Sequence, residues 1–536
     1  MSAFFQRGGF FSSLSLLCSR FFRFCFSLFP FRFSLFSPLF LSILSSFLLV
    51  LSHPPYHLWF LAWVGLVPLL AALEGQGFWS GFRRGYLFGL VYCFGMFWWL
   101  IHVTLPGMIL LNMFLALYFA LFAATVTLVA HHKIGARAVM IACAWVVWEF
   151  ARSRLLSGFG WAALGHSQYR NIPLIQWASW TGVFGISFVL AAVNSLIAGA
   201  MTQTSHERWK ILAAALMIAA GAWGAGHLLL PDSRHDVAPL RAAVIQPNIA
   251  QEDKWDPFKH EEIFNRLGRM TQKAAQEHPD LVIWPESSLP AWPAQMPRMM
   301  VLSSALARRL ATPMLIGYVH QKSGRYYNSA GLIASDGRWQ GEYDKRHLVP
   351  FGEYIPLGRM IPLLSKIVPI EDVSPGKTLT VFHLATADQR QYDFSVLICF
   401  EDTVGSVARA LTAAGGQILI NITNDAWFQE TRAPWLHLQA AVLSAAALHR
   451  PLIRCANTGV SAAISASGEI QGVLTGEGGR AVFQPGIKIF TVYPNSSETI
   501  YLKFGDIFAY LCIACLVLNV IINHKKFSFS GGDYEK

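Results

Sequence analysis

Three side chains that together could carry out nucleophilic catalysis stand at or near the ends of apolar segments. Cys399 closes the run 395–398, and Glu286 follows the run 281–284. Lys345 lies in a polar loop between them. A thiol attacks a carbonyl carbon once a base takes its proton, and an ammonium can face the oxyanion that forms. This set predicts nucleophilic catalysis by Cys399.

Each of the three residues also has an ordinary structural interpretation. A cysteine in a buried strand is usually a small packing residue. Cys399, however, is followed by Phe-Glu-Asp, which cannot continue an apolar core. We expect an exposed thiol at a strand-to-helix turn, where the helix N-terminus favours the thiolate. Glu286 follows Trp-Pro and suits a partly dry general base. Lys345 suits the oxyanion, where one preorganised donor contributes roughly 3 kcal/mol.

Further residues are predicted to support this chemistry. Glu353, in Gly-Glu-Tyr, and Glu401 could each orient the lysine or position an incoming amine. Trp255 and Trp292 could line an entrance for an acyl chain or simply pack. The apolar segment 355–364 contains two prolines and a glycine. That composition suits an arm that dips toward lipid better than a core element.

The three residues lie in a segment of ordinary soluble composition that alternates strand and helix signals. Apolar runs predict strands at 240–246, 281–284, 314–319, 327–334, 339–343, 394–398, 418–422, 452–456 and 462–466. Helical periodicity predicts helices at 257–277, 300–310, 404–414 and 434–448. An Asp-Gly turn predicts that the fourth and fifth strands pair. The alternation predicts a layered α/β domain.

The composition places this domain in a membrane protein. Of 536 residues, 54% are hydrophobic and 14% charged, against about 25% charged in soluble domains. The formal net charge of +11 indicates cytoplasmic loops and anionic headgroups, because the Lys and Arg are scattered and form no nucleic-acid-binding motif. The 8 cysteines show neither a disulfide framework nor zinc spacing. Cys455 is expected to be dispensable.

Apolar segments predict about eight membrane spans. They are 36–52, 57–74, 83–103, 107–130, 136–151, 173–200, 209–230 and 500–523. The resulting domains are a Phe/Ser/Arg-rich extension at 1–35, a seven-span domain at 36–235, the α/β domain at 236–499, an eighth span at 500–523 and a tail at 524–536.

Basic residues predict the orientation of the spans. They occur in the N-terminal stretch, in the loops after the second, fourth and sixth spans, and in the tail. These regions fall on one side, which should be cytoplasmic. An odd number of spans then places 236–499 outside the cytoplasm. The loop after the fifth span disagrees, since Arg152, Arg154 and Arg170 would lie outside.

The order, spacing and local sequence of Glu286, Lys345 and Cys399 resemble the nitrilase, or carbon-nitrogen hydrolase, superfamily. Seven spans, this domain and one further span resemble its membrane branch, the apolipoprotein N-acyltransferases of bacterial inner membranes. The resemblance covers about 36–523. It is carried by HPPYHLWFLAWVGLVPLL (53–70), GFGWAALGHSQ (158–168), YDKRHLVPFGEYIP (343–356), TNDAWF (423–428) and NTGVSA (457–462).

The resemblance implies a polytopic α-helical membrane domain with an inserted nitrilase-like αββα sandwich. It implies a ping-pong reaction in which Cys399 takes an acyl chain from a phospholipid, phosphatidylethanolamine, as a thioester. The acyl chain then passes to the α-amino group of the N-terminal diacylglyceryl-cysteine of an apolipoprotein. The resemblance further implies a monomer in the inner membrane, with its catalytic domain on the periplasmic side and with no metal, cofactor or nucleic acid.

Two other functions compete with this interpretation. A membrane-tethered nitrilase-type amidase would hydrolyse a small amide, and a water path to Cys399 without a lipid groove would favour it. A transporter with an accessory domain would carry charged residues inside its spans. The predicted spans have almost none beyond Glu149, which disfavours the transporter.

Overall fold

A computed structural model describes residues 37–231, 237–289, 296–350, 352–354 and 373–530. The predicted extension at 1–35, Trp292 and the predicted arm at 355–364 lie outside these residues. The described chain forms an N-terminal helical region, a region of two β-sheets and a C-terminal helix.

The N-terminal region is built from apolar helices that fit the predicted spans. They are α1 (Pro38–Leu51), α2 (Val67–Leu73), α3 (Phe78–Phe97), α4 (Leu105–Leu128), α5 (Ile134–Arg154), α6 (Ile172–Ile175), α7 (Ala178–Thr181), α8 (Val183–Ala200) and α9 (Ser205–Gly226). By length and composition, 5 helical segments of the described chain could cross a membrane: Phe78–His102, Leu105–Leu128, Ile134–Ser157, Val183–Ala200 and Ser205–Leu229. The apolar segments Pro38–Leu51, Trp59–Leu73 and Ile507–Ile522 are shorter, so the count of eight spans stays a prediction.

The sixth long helix of the prediction begins later than expected. The single turns α6 and α7 occupy the start of 173–200, and the continuous helix α8 begins at Val183. Gly182, just before it, has a φ of +63°, which only glycine adopts without strain. A Cβ at this position would lie 2.9 Å from the ring of Tyr501. Gly182 therefore separates α7 from α8 and leaves room for Tyr501, which lies in the segment after the sheets.

The region after the membrane helices forms two 6-stranded sheets. The strands are β1 (Leu240–Gln246), β2 (Leu281–Ile283), β3 (Met314–Lys322), β4 (Arg325–Ile333), β5 (Trp339–Asp344), β6 (Phe382–Ala385), β7 (Gln391–Ile398), β8 (Ile418–Thr423), β9 (Leu452–Ala456), β10 (Ala462–Ile464), β11 (Ile470–Val473) and β12 (Gly486–Val492). One sheet has the order β12-β1-β2-β3-β4-β5 and the other β11-β10-β9-β8-β7-β6. Strands β1–β3 are parallel, as are β7–β9, so their carboxyl ends share an edge in each sheet.

The sheets pack face to face between helices. Alternate residues of β1 belong to different apolar clusters: Ala243 and Ile245 cluster with Ile263 of the helix His260–Ala275, and Val244 with the second sheet. Strands β1 and β4 contact β9 and β7 across the interface. The helices are α10 (Gln251–Lys254), α11 (His260–Ala275), α12 (Met296–Leu310), α13 (Gly405–Ala413), α14 (Ala433–Leu448), α15 (Ile500–Phe504) and α16 (Ile507–Ser530). This confirms the αββα sandwich that the resemblance implied.

Two arginines help to join the membrane helices to the later parts of the chain. Arg432, before α14, donates from Nε to the Pro54 carbonyl at 2.8 Å and from Nη1 to the Gly95 carbonyl at 2.6 Å. Arg154, at the end of α5, pairs with Asp506, before α16. Guanidinium groups that satisfy carbonyls at helix ends offset the cost of burying both partners. The contacts of Arg432 seat the sheets on the helical region.

Candidate active site

The candidate nucleophile lies where β7 ends. The last five residues of β7 are buried, whereas Cys399 is partly exposed. Its φ is +53°, in the left-handed region that costs a non-glycine residue roughly 1–3 kcal/mol. Its carbonyl oxygen accepts a hydrogen bond from Asn421 Nδ2 at 3.0 Å. The structure thus shows the turn that the Phe-Glu-Asp sequence predicted.

The protonation state of this thiol differs from our expectation. Burial, and then the Glu286 carboxylate, raise the pKa of the Cys399 thiol well above its usual range, and Lys345 only partly opposes them. The helix after Cys399 is a short 3-10 segment, Cys399–Thr403, with acidic residues in its first turn. The expectation that a helix N-terminus favours the thiolate is therefore wrong. A protonated resting thiol needs a base before it can attack.

Glu286 follows β2 and is 6% exposed. Its Oε1 accepts a hydrogen bond from Asn328 Nδ2, and its Oε2 accepts one from the backbone N–H of Asn424, both at 2.8 Å. Gly317 on β3 permits the close packing behind it, because a Cβ there would lie 2.8 Å from the Glu286 Cα. Both sheets therefore hold the carboxylate, since Asn328 belongs to β4 and Asn424 follows β8.

Lys345 follows β5 and is 1% exposed. Its Nζ donates to Glu353 Oε1 at 2.8 Å and lies 3.7 Å from Glu286 Oε1. Burial alone would lower the pKa of Lys345, but the carboxylates of Glu353 and Glu286 outweigh it and raise the pKa. The structure thus places a charged ammonium beside the base and within electrostatic reach of Cys399.

The two further glutamates have different contacts. Glu353 accepts hydrogen bonds at Oε1 from Lys345 and Asn328, and at Oε2 from the backbone N–H of Val349. Glu401 is fully buried, and burial raises the pKa of its carboxyl. It accepts hydrogen bonds from Tyr343 Oη and from the backbone N–H groups of Arg346, His347 and Ile398. Glu353 therefore contacts the lysine itself, whereas Glu401 ties the lysine loop to the strand that carries Cys399.

A ring of four buried charges lies behind Cys399 and was not foreseen. His437 Nε2 is 2.6 Å from Asp402 Oδ1, and its Nδ1 is 3.0 Å from Asp425 Oδ1. Arg454 completes the ring by pairing with Asp402 and approaching Asp425 at 3.7 Å. Burial lowers the pKa of His437, but the two aspartates outweigh it and raise the pKa to about 9. The imidazolium Nε2 also lies 3.0 Å from the Cys399 carbonyl oxygen and supports the strained turn.

The remaining residue of the prediction, Trp255, is 42% exposed and directly follows α10. Its neighbour Lys254 is buried and donates to the Glu286 carbonyl. Three residues of the site were not predicted from the sequence: Lys254, Asn328 and His437. A lone lysine among acidic residues and a lone histidine on a helix carry no local signal that would single them out.

One group of side chains with metal-ligand chemistry is found in the described ranges. His320, Glu342 and Asp344 present donor atoms within 4.8 Å of one another. Glu342 already accepts a hydrogen bond from the Tyr318 hydroxyl, and Asp344 accepts one from Ser329. The imidazole bridges the two carboxylates, and these contacts account for the group without an ion. We assign it no metal.

Comparisons with known proteins agree with this architecture. Residues 45–196 match the family model of the apolipoprotein N-acyltransferase N-terminal domain, and residues 241–493 match that of carbon-nitrogen hydrolase. The apolipoprotein N-acyltransferase of Geobacter metallireducens is 35% identical over 88% of this chain and 93% of its own length. That of Chlorobaculum tepidum is 30% identical over 79% of this chain and 86% of its own length.

Among solved structures, an amidase from Nesterenkonia sp. is similar to 50% of this chain and 93% of its own, with 18% identity and a TM-score of 0.36. The sheets, the site and the family matches together define a carbon-nitrogen hydrolase domain joined to a helical membrane domain. Within that class, the chain belongs to the apolipoprotein N-acyltransferase family.

Proposed function

We propose that this chain moves a fatty acyl group from a phospholipid, through a thioester on Cys399, to the α-amino group of the N-terminal diacylglyceryl-cysteine of an apolipoprotein. The observation that carries the proposal is the convergence of Glu286, Lys345 and Cys399 from three strand ends into one site. Family membership supports the substrates, and the resemblance supports phosphatidylethanolamine as donor and a monomeric enzyme.

In the first half-reaction, Glu286 takes the proton of the Cys399 thiol while the sulfur forms a bond to the ester carbonyl carbon. The carbonyl electron pair moves to oxygen, and the resulting oxyanion faces the ammonium of Lys345. When the oxyanion collapses, the ester C–O bond breaks. Glu286 returns its proton to the departing alkoxide, which leaves as a lysophospholipid.

In the second half-reaction, the neutral α-amino group of the acceptor attacks the thioester carbonyl. The same oxyanion forms beside Lys345, and the C–S bond breaks as it collapses. The amine loses a proton to Glu286, which passes it to the departing Cys399 thiolate. Glu353 remains the counter-ion of Lys345 throughout, so the lysine stays charged in both halves of the reaction.

Intact-mass spectrometry of the purified enzyme after exposure to phosphatidylethanolamine tests this proposal. We expect a mass increase of one acyl group on Cys399, because the thioester is stable until an amine arrives. Cys455→Ser is the matched control and should acquire the same adduct. The Cys455 thiol is fully buried and donates to the Ile245 and Ile283 carbonyls. An adduct formed only from small amides, and none from phospholipid, would support the amidase instead.

The catalytic domain is proposed to lie on the periplasmic side of the bacterial inner membrane. The cytoplasmic assignment of the basic loops supports this orientation, and the structure weakens the one objection. Arg152 is 3% exposed and donates to the Trp161 carbonyl at 2.7 Å. Arg154 is paired with Asp506. These two arginines are structural, and such charges are poor indicators of a cytoplasmic loop.

Reporter fusions check this orientation. A phosphatase that is active only outside the cytoplasm should be active when fused near residue 380 and inactive when fused after residue 205. A fluorescent protein that matures only in the cytoplasm, fused at the same positions, should give the reverse pattern and serves as the control. If the phosphatase is active only at the second position, both the orientation and the lipoprotein acceptor are excluded.

A further inference from the structure

A second lysine lies beside the proposed general base. Lys254 ends the short helix α10, and its side chain is 1% exposed. Its Nζ donates to the backbone carbonyl oxygen of Glu286 at 2.8 Å. In the described ranges this is the single hydrogen bond that the ammonium makes. Lysine is almost never buried so fully without an anionic partner, so its position needs an explanation.

The charges around Lys254 explain why this lysine can be buried. Burial lowers the pKa of Lys254 to about 8, and the negative charges of Glu286 and of an ionised Cys399 partly restore it. The other lysine of the site, Lys345, pairs mainly with Glu353. Its Nζ is 2.8 Å from the Glu353 carboxylate but 3.7 Å from that of Glu286. Glu353 therefore neutralises Lys345 more directly, and Lys254 adds a second positive charge that interacts with Glu286.

The backbone contact has a separate consequence. The residue after Glu286, Ser287, has a φ of +49°, so the general base sits at the edge of a strained turn. A charge-assisted hydrogen bond to the Glu286 carbonyl is stronger than a neutral one. It fixes the main chain from which the carboxylate projects. A displacement of about 1 Å in such a group lowers rates by about 100-fold.

We propose that Lys254 is a positioning residue that holds the Glu286 main chain in place and adds a positive charge near its carboxylate. This inference rests on the proposed function, because it assigns Glu286 as the base. The ionisable groups that act on Lys254 are Glu286 and Cys399. Both belong to the site itself.

The test compares Lys254→Met with Lys254→Arg in the full-length enzyme, with phosphatidylethanolamine as donor and the rate of Cys399 acylation followed across pH. Lys254→Met should acylate about 100-fold more slowly. The acid limb of its pH profile should move to higher pH, because the base has lost a positive neighbour. Lys254→Arg should keep the acid limb of the wild-type enzyme. Lys259→Met is the matched control, because Lys259 lies in the same segment and pairs with Asp253 on the surface.

Thermal unfolding in detergent shows whether each variant is folded. If Lys254→Met does not fold, Lys254→Gln retains a donor without the charge and should show the same shift of the acid limb. Normal acylation in the neutral variants overturns the inference. An equal loss of acylation rate in all Lys254 variants, with no change in the pH profile, also overturns it. That result would mean that Lys254 only stabilises the fold. Cys399→Ala separates the two claims, because turnover in that variant contradicts the proposed function itself.

Discussion

Replacement of Cys399 by alanine or serine should abolish acyl transfer. Alanine has no nucleophile, and a serine hydroxyl beside a carboxylate is a far poorer one than a thiol, because its proton is much harder to remove. Because the pKa of the Cys399 thiol is raised, the reaction already requires Glu286 to remove its proton. A serine hydroxyl is a weaker acid than the thiol, so this step should be far slower. Turnover of a fluorescent phospholipid in detergent measures the effect, with a loss of at least about 1,000-fold expected.

The matched control for these variants is Cys455→Ser. Cys455 lies in the same domain but on β9, with 0% exposure, and it contacts no residue of the triad through its thiol hydrogen bonds. This control should retain activity if the protein stays folded. Near-normal turnover in Cys399→Ala or Cys399→Ser would remove Cys399 from the mechanism. A disulfide between Cys399 and Cys455 in active enzyme, found by non-reducing peptide mapping, would contradict the free thiol.

Glu286→Gln and Lys345→Met should each prevent formation of the acyl-enzyme. In the first variant, the glutamine amide keeps the shape of the side chain but cannot accept the thiol proton. In the second, methionine removes the charge that faces the oxyanion, and the loss of one such group lowers the rate by about 100- to 1,000-fold. Stopped reactions analysed by intact mass measure the rate of adduct formation directly.

These two variants need a folding control, because each removes one charge from a buried cluster of charges. Glu277→Gln and Lys322→Met change the same residue types at exposed positions and should acylate normally. Thermal unfolding separates a catalytic loss from a loss of fold. If folded Glu286→Gln or Lys345→Met accumulates acyl-enzyme at the normal rate, the role assigned to that residue in the first step is wrong.

The sequence by itself determined the layers of this protein. All 9 predicted strands are present among β1–β5 and β7–β10, because apolar periodicity is a local property that survives folding. Strands β6, β11 and β12 were not predicted. Each is short or half-exposed, so its pattern is weak, and its place depends on pairing with β7, β10 or β1. The triad was visible because each member follows a strong strand signal and lies in a recognisable motif.

Only the tertiary structure decided how the site is charged. The raised pKa of Cys399 follows from burial and from Glu286, and these come together only when two sheets from distant parts of the chain meet. Lys254 and His437 are likewise defined by contacts with residues 32 and 38 positions away, respectively. Electrostatic environment depends on desolvation and on distance in space, neither of which a linear pattern contains. Residue types and their local order therefore indicated the reaction, while packing determined how the proton and the charges of that reaction are held.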